Sequence, residues 1–465
     1  MTTLNDSLRS KIMTPTTKSA LGQWSSGWTF ILATTGAAVG LGNIWKFPYV
    51  AGANGGGAFV LVYLACIALI GVPLLTAEIM LGRRGRQNPI YSMRNVALES
   101  NRSPRWKLAG VLCILSGFFI LSYYSVIAGW ALSYVIESSL GHFKGATAQQ
   151  VQEIFSTLTN SPLRLIFWNT IIMMGTVTMV MFGVQKGLER TVRFIFPGLI
   201  IILFLLVFYA GTTGYFRQGL AFLFAPNFST LTANGVLIAL GQAFFTLSIA
   251  YGTIMTYGAY VPNNVSIAKT SIIIAGADTF IALLAGIAIF PIVFAYGLAP
   301  DSGAGLIFQT LPISFGNIHF GTLFATLFFI MLVFTAFTTS ISILEPSVAF
   351  LIEKYKISRK SAAMFAGGAC WLFSFGTIFS FNIWSGYKLF GLTFFEIIDY
   401  LTVNIMLPLG GLLITVFVGW RMKKKFILSE LKLKDPLSYK GFIFCLKIIT
   451  PLAIVSIFLN LTGMI

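Results

Sequence analysis

Long apolar runs constrain this chain more than any other feature. Eleven of them, at roughly 27–50, 57–82, 108–136, 165–182, 194–213, 236–260, 268–297, 320–352, 361–381, 392–420 and 443–463, are separated by polar or Gly/Pro-rich breaks. The hydrocarbon core of a bilayer takes about 20 apolar residues per helix, so each run predicts one transmembrane helix. Only 10% of the 465 residues are charged, against about 25% in a soluble chain. Little sequence is left for a catalytic module outside the lipid bilayer. The expected fold class is an all-α polytopic membrane protein.

Charge then sets the expected orientation. With the N-terminus inside, 25 of the 31 Lys and Arg residues fall in cytoplasmic segments. Lys144, Arg164, Arg217 and Lys388 fall outside, and Lys46 and Lys447 lie within spans. Cytoplasmic loops of membrane proteins carry this excess, so a cytoplasmic N-terminus is expected, with the C-terminus outside after eleven crossings. The same loops account for the net charge of +17 with no nucleic-acid partner. Cys66, Cys113, Cys370 and Cys445 sit in apolar runs without metal-ligand spacing and read as helix-packing residues. The polar first 25 residues lack the apolar core of a cleaved signal peptide.

Two runs are interrupted. The first contains Gly36-Ala37-Ala38-Val39-Gly40-Leu41-Gly42-Asn43, and the sixth contains Thr246-Leu247-Ser248-Ile249-Ala250-Tyr251-Gly252. Glycine in a helix interior costs about 1 kcal/mol relative to alanine, and backbone freed from its ladder cannot face lipid. Close packing through small residues would explain either segment alone. Their spacing adds a second argument. Five helices separate them, so the second set of five enters from the opposite side, the inverted-repeat arrangement in which broken helices meet at the midplane. The expected organisation is a cytoplasmic tail over 1–25, a first repeat over 26–213 (helices 1–5), an extracellular loop over 214–233, a second repeat over 234–420 (helices 6–10), and a cytoplasmic loop with helix 11 over 421–465. Helices 1 and 6 are discontinuous in this 5+5 scheme.

Carboxylates within spans are expensive and need a partner or a role. Glu78 and Glu345, beside glycine or proline, read as structural hydrogen-bond acceptors. Asp278 has no basic residue near it in sequence, and a buried carboxylate there stays ionised most easily beside a bound cation. In span eight, Thr335, Thr338 and Thr339 present hydroxyls on adjacent faces of one turn. Neutral oxygens of this kind suit a hard monovalent cation such as Na⁺, although threonines also bond back to their own helix carbonyls. The two histidines, His142 and His319, fall in outside loops. No nucleophile elbow, phosphate loop or His/Cys metal cluster occurs, so an enzyme is not expected.

These residues carry a family resemblance. Trp24, the stretch from Gly36 to Tyr49, Asn54-Gly55-Gly56-Gly57-Ala58-Phe59, Tyr123-Tyr124, the segment Gly241-Gln242-Ala243-Phe244-Phe245-Thr246-Leu247-Ser248, and Glu345-Pro346 resemble the neurotransmitter:sodium symporters. They especially resemble the bacterial leucine-transporter-like amino-acid carriers. The resemblance implies two sodium sites. The first would use the Ala38 carbonyl, the Asn43 side chain, Thr246 and Asp278, with the substrate carboxylate touching the ion. The second would use carbonyls of Gly36, Val39 and Thr335 and hydroxyls of Thr338 and Thr339. The carboxylate would also meet the Tyr124 hydroxyl and the amides of Leu41 and Gly42. The amino group would meet carbonyls of Ala38, Phe245 and Thr246 and the Ser248 hydroxyl. The side chain would face Ile120, Phe245, Tyr251 and Ile343, Thr339 is a further substrate-binding position, and Tyr124 and Phe245 would close the site from outside.

Several positions depart from the family pattern. Gly40 stands where monoamine carriers place an aspartate, so the substrate should bring its own carboxylate. The outer gate would pair Lys46 with Asp399, lysine replacing the usual arginine and its bidentate contact. The inner-gate arginine position reads Leu21, its acidic partner Glu353 remains, and Lys18 is a candidate substitute. Asp278 replaces an asparagine, and Ala282 replaces the serine of chloride-dependent relatives, so chloride independence is expected. Ala250 stands where leucine carriers have glycine. Gly187 and Pro197 resemble the spacing that lets the fifth helix unwind. The function implied is sodium-coupled import of a neutral, hydrophobic or aromatic, amino acid across a bacterial cell membrane by alternating access. The alternative is an amino-acid-gated channel or sensor using the same site.

Overall fold

A computed structural model describes residues 22–297, 306–317, 319–433 and 435–461. Lys18 and Leu21 lie outside the described residues. Among those described, no β-strand occurs, only isolated bridges such as Gly56–Pro226. The described chain begins with α1 (Gly27–Ala38), a three-residue break, and a π-helical turn (Gly42–Lys46) running into α2 (Phe47–Ala53). Then come α3 (Gly57–Gly85), a loop helix α4 (Pro89–Glu99), α5 (Lys107–Ser139), α6 (Pro162–Met181) and α7 (Val184–Thr212). The second half repeats the order, with α8 (Ala233–Thr246) broken from α9 (Thr253–Ala259), then α10 (Ile267–Ala295), α11 (Gly321–Tyr355), α12 (Arg359–Ser380) and α13 (Phe394–Arg421). A last helix, α14 (Pro436–Asn460), follows.

Nine helices are long and apolar enough to span a bilayer among the described residues. The expectation of eleven spans is therefore adjusted to nine continuous ones plus the two interrupted segments, whose halves are too short to qualify singly. Short helices Ala148–Thr159, Phe216–Phe224 and Leu311–Gly316 sit in loops that the apolar-run reading left without structure. One of them occupies the segment expected as the 214–233 loop. Their apolar stretches are too short to signal a span.

Local signals set the helix starts. Ser26 and Thr29 form a reciprocal capping box at α1, Asn88 accepts from the amide of Ile90 at 3.0 Å to start α4, and Thr232 accepts from Gly235 at 3.0 Å to start α8. Each satisfies amides that a helix N-terminus leaves without partners.

The two long helices α5 and α11 pack along each other as the central scaffold pair, and α6 and α12 brace them from outside. The short α9 is held against α3, where small residues admit close backbone approach. A Cβ added at Gly258 would lie 2.6 Å from the Ile79 carbonyl oxygen. The outer faces of α7 and α14 expose Phe194, Ile201, Phe208 and Leu452, as expected of surfaces meeting lipid.

This packing makes a direct prediction. Gly258→Leu should lower the melting temperature of the detergent-solubilised protein by several degrees, an overpacking cost of about 1–3 kcal/mol. Gly276→Leu, at a position with nothing within 4 Å, should leave it unchanged or raise it. Equal melting temperatures for the two variants would contradict the packing described.

Candidate functional site

The first break is short because neighbouring side chains take over the missing backbone partners. Val39 leaves helical geometry with ψ 102°. The Gly40 amide donates to Asn43 Oδ1 at 3.0 Å, and the Leu41 amide donates to the Tyr124 hydroxyl of α5 at 3.1 Å. The Gly42 carbonyl accepts from Gln242 Nε2 of α8 at 2.8 Å. A Cβ on Gly40 would lie 2.8 Å from both Thr339 Oγ1 and the Tyr124 hydroxyl oxygen. Only glycine lets α5 and α11 approach the break this closely.

The second break is wider and more strained. Ser248 and Ala250 adopt left-handed backbone at φ 52° and 63°, followed by Gly252 at 78°, a region costly for residues with a Cβ. The Ala250 amide is held by Glu78 Oε1 of α3 at 2.7 Å. Glu78 thus meets its expectation as a structural acceptor. The Ser248 hydroxyl donates to the Ala37 carbonyl at 3.2 Å, tying the two breaks together.

Asp278 of α10 sits beside both breaks, fully buried. Its Oδ1 accepts from Asn43 Nδ2 at 2.8 Å and its Oδ2 from Thr246 Oγ1 at 2.9 Å. Three residues distant in sequence therefore converge, one from each broken segment and one from an intact helix. Among the described residues no group of three or more His, Cys, Asp or Glu is placed to hold a metal ion, and the polar groups here are one carboxylate with the Asn43 amide and the Thr246 hydroxyl.

A second oxygen cluster lies where α11 passes the first break. Thr339 Oγ1 donates to the carbonyls of Val39 at 3.3 Å and Ala37 at 3.4 Å. Thr338 Oγ1 bonds back to carbonyls of Phe334 at 3.1 Å and Thr335 at 3.0 Å, and Thr335 does likewise within its helix. Thr339 alone of the three reaches across to the break. Gly36 and Ala38 are buried in α1 next to it.

Ile120, Tyr251 and Ile343 are buried around the second break, and Phe245 is half-buried. The Tyr251 hydroxyl donates to the Phe245 carbonyl at 3.5 Å. Gly117 of α5, where a Cβ would lie 2.7 Å from the Tyr251 carbonyl oxygen and 3.4 Å from Ile343 Cγ2, gives this wall its room. Neither Gly117 nor the hydrogen bond from Gln242 was evident from the sequence. The apolar company of Gly117 and the lone amide in an apolar run were the available signals.

The two ends of the site differ. At one, the Lys46 ammonium lies 4.4 Å from the centre of the Phe245 ring, a cation–π contact. Among the described residues no ion pair joins Lys46 to Asp399. At the other, Trp24 is buried. Its Nε1 donates to the Tyr257 carbonyl at 3.1 Å and its amide to the Tyr260 carbonyl at 3.2 Å. The Tyr260 hydroxyl donates to Glu345 Oε1 at 2.7 Å. Arg359 of α12 pairs with Glu345 Oε2 and donates through Nε to the Val180 carbonyl at 2.8 Å. Glu353 instead accepts from the Asn88 amide at 3.0 Å and from its side chain, holding α4.

Comparison with known proteins follows the same lines. The sodium:neurotransmitter symporter family model matches residues 21–152 and 148–463. The chain belongs to this family. An uncharacterized sodium-dependent transporter of Bacillus subtilis (strain 168) is 37% identical over 447 residues, covering 95% of this chain and 98% of that protein. A second, from Haemophilus influenzae, is 34% identical over 444 residues, covering 94% and 97%. The crystal structure of MhsT in complex with L-phenylalanine matches with a TM-score of 0.87 at 41% identity, covering 94% of this chain and 99% of that one. The protein is thus a sodium-coupled membrane transporter of the inverted-repeat fold, not an enzyme.

The ion pair at the Trp24 end, with Glu345 fully buried and Arg359 partly so, is open to test. Removing one partner of a buried pair leaves an uncompensated charge and costs about 3–5 kcal/mol. Arg359→Gln should therefore destabilise strongly. Adding Glu345→Gln to it should restore much of the loss, read as melting temperature of the two variants. A double variant no more stable than Arg359→Gln alone would contradict the pairing.

Proposed function

We infer that the cargo is a neutral amino acid with a hydrophobic or aromatic side chain, carried inward with Na⁺ by alternating access. The observation that carries this reading is the meeting of Asn43, Thr246 and Asp278 beside the freed amides of Leu41 and Gly42. A half-helix N-terminus carries roughly +0.5 charge, which suits a substrate carboxylate. One carboxylate among neutral oxygens suits Na⁺. Gly40 contributes no acid, so the negative group between amides and ion is the substrate's own. The bound phenylalanine named for MhsT supports a zwitterion with an apolar side chain, and Ile120, Tyr251, Ile343 and Phe245 supply an apolar surround.

In this reading Tyr124, Leu41 and Gly42 hold the carboxylate. Carbonyls of Ala38, Phe245 and Thr246 and the Ser248 hydroxyl hold the ammonium, and Thr339 lies beside them. One Na⁺ takes Ala38, Asn43, Thr246, Asp278 and the substrate carboxylate. A second takes Gly36, Val39, Thr335, Thr338 and Thr339, all neutral oxygens. The Thr339 hydroxyl, now shared with the Val39 and Ala37 carbonyls, would turn its oxygen to the ion. Because the first ion touches the substrate, sodium raises substrate affinity and substrate raises sodium affinity by the same factor.

The built-in charge of Asp278, with Ala282 one turn on, makes an external anion unnecessary, so transport should not need chloride. Lys46 over Phe245, with Tyr124, forms the outer closure, and Asp399 is the acid it would meet on further closing. The pairing of Arg359, Glu345 and Tyr260 does the work at the inner closure that the absent arginine at Leu21 does elsewhere in the family. The membrane is the bacterial cell membrane, with the N-terminus cytoplasmic.

Vesicles reconstituted with the protein and given an inward Na⁺ gradient should concentrate labelled phenylalanine or leucine. Choline in place of Na⁺ should abolish uptake, and gluconate in place of chloride should leave it unchanged. Asp278→Ala and Thr338→Val should each lose at least ~90% of uptake. Binding without accumulation above the outside concentration would favour the channel or sensor reading instead.

The substrate seat gives a second, separate prediction. Gly40→Ala should weaken Na⁺-dependent amino-acid binding at least tenfold, about 1.4 kcal/mol, because the added methyl pushes Thr339 and Tyr124 from the break. Scintillation proximity binding on folded, monodisperse protein checks this, and unchanged affinity would remove Gly40 from the seat.

A further inference from the structure

Away from the central site, one surface groove gathers positive charge that the protein does not neutralise. It lies between α4, the start of α5 and the end of α11, at the same end of the bundle as Trp24. It encloses about 460 Å³, with Tyr91, Arg94, Lys107 and Lys354 around an apolar wall that includes Val111 and Phe350. All three cations are exposed.

Among the described residues the Arg94 and Lys107 side chains have no hydrogen-bond or ion-pair partner, and the Lys354 ammonium rests over the rings of Phe350 at 5.1 Å and Tyr355 at 4.8 Å. No carboxylate lines the groove. The acids nearest in sequence are committed elsewhere, Glu99 to Arg84 and Glu353 to Asn88. Three like charges held together without a counter-charge repel one another, and a bound anion relieves that repulsion.

Depth identifies the anion's source. Lys107 is the first residue of α5 and Lys354 the penultimate residue of α11, so these cations sit where the spans leave the hydrocarbon. Val111, one turn further into the bilayer than Lys107, faces the same groove and is half-buried, as is Phe350. Charge at headgroup level above an apolar wall at acyl level matches an amphiphile in its membrane orientation. Basic pockets between spanning helices recognise lipid headgroups in this way.

We propose that this groove binds an anionic glycerophospholipid, its phosphate between Arg94, Lys107 and Lys354 and an acyl chain along Val111 and Phe350. The proposal is independent of which amino acid is carried. Native mass spectrometry of the full-length protein in mild detergent tests it, with phosphatidylglycerol, phosphatidylcholine or glycerol 3-phosphate added. Phosphatidylglycerol should be retained in preference to phosphatidylcholine, and glycerol 3-phosphate should neither bind nor compete. Each of Arg94→Gln, Lys107→Gln and Lys354→Gln should weaken retention about fivefold, and Lys107→Arg should preserve it. The Na⁺-dependent thermal shift with amino acid should be unchanged in these variants, which reports that the central site is intact. Equal retention of phosphatidylglycerol by the three glutamine variants and the parent would overturn the proposal. So would competition by glycerol 3-phosphate, which would make the groove a site for soluble anions.

Discussion

Everything in this structure depends on one constraint: a backbone amide or carbonyl at mid-bilayer must find a partner inside the protein. Two spans interrupt their own helical bonding locally, and side chains of other helices supply the partners. Tyr124 reaches the Leu41 amide from α5, Gln242 reaches the Gly42 carbonyl from α8, and Glu78 reaches the Ala250 amide from α3. Each breach in a helix is thereby converted into a tie between helices. The groups that close the breaks are also groups that a polar ligand can take over, because such bonds are side chain to backbone and can be exchanged without unravelling a helix.

Asp278 shows why coupling follows from this arrangement. A fully buried carboxylate that among the described residues accepts side-chain hydrogen bonds from Asn43 and Thr246 and pairs with no Lys, Arg or His has donors but no cation beside it. In the proposed reading the ion supplies the charge, and the substrate carboxylate shares that ion. Cargo and ion then stabilise one another through a single contact, while Thr339 links the second oxygen cluster to the same break.

The two ends of the site use different physics. Lys46 over Phe245 is a soft contact between a cation and a ring, readily undone when the ring moves. The opposite end is bound by Trp24 on the Tyr257 and Tyr260 carbonyls at the end of α9 and by the pairing of Arg359 with the buried Glu345, which also accepts from Tyr260. That network joins the broken segment to the α11 and α12 scaffold. It places Arg359 at the Trp24 end of the site.

Sequence alone determined the spans, the two interrupted segments and the candidate residues around them, because a bilayer demands long apolar runs and makes every glycine cluster or carboxylate within one conspicuous. Asp278 and the threonines of α11 stood out for that reason. Tertiary structure decided which of these residues meet. Hydrophobicity carries no information on rotation about a helix axis, so the turning of Thr339 toward the break while Thr335 and Thr338 bond to their own helix was not legible. Nor were the Gln242 bond or the Gly117 wall. The partners of Glu353 and Glu345 were equally hidden, since Asn88 and Arg359 are brought to them by packing between helices whose order in space only the folded chain defines.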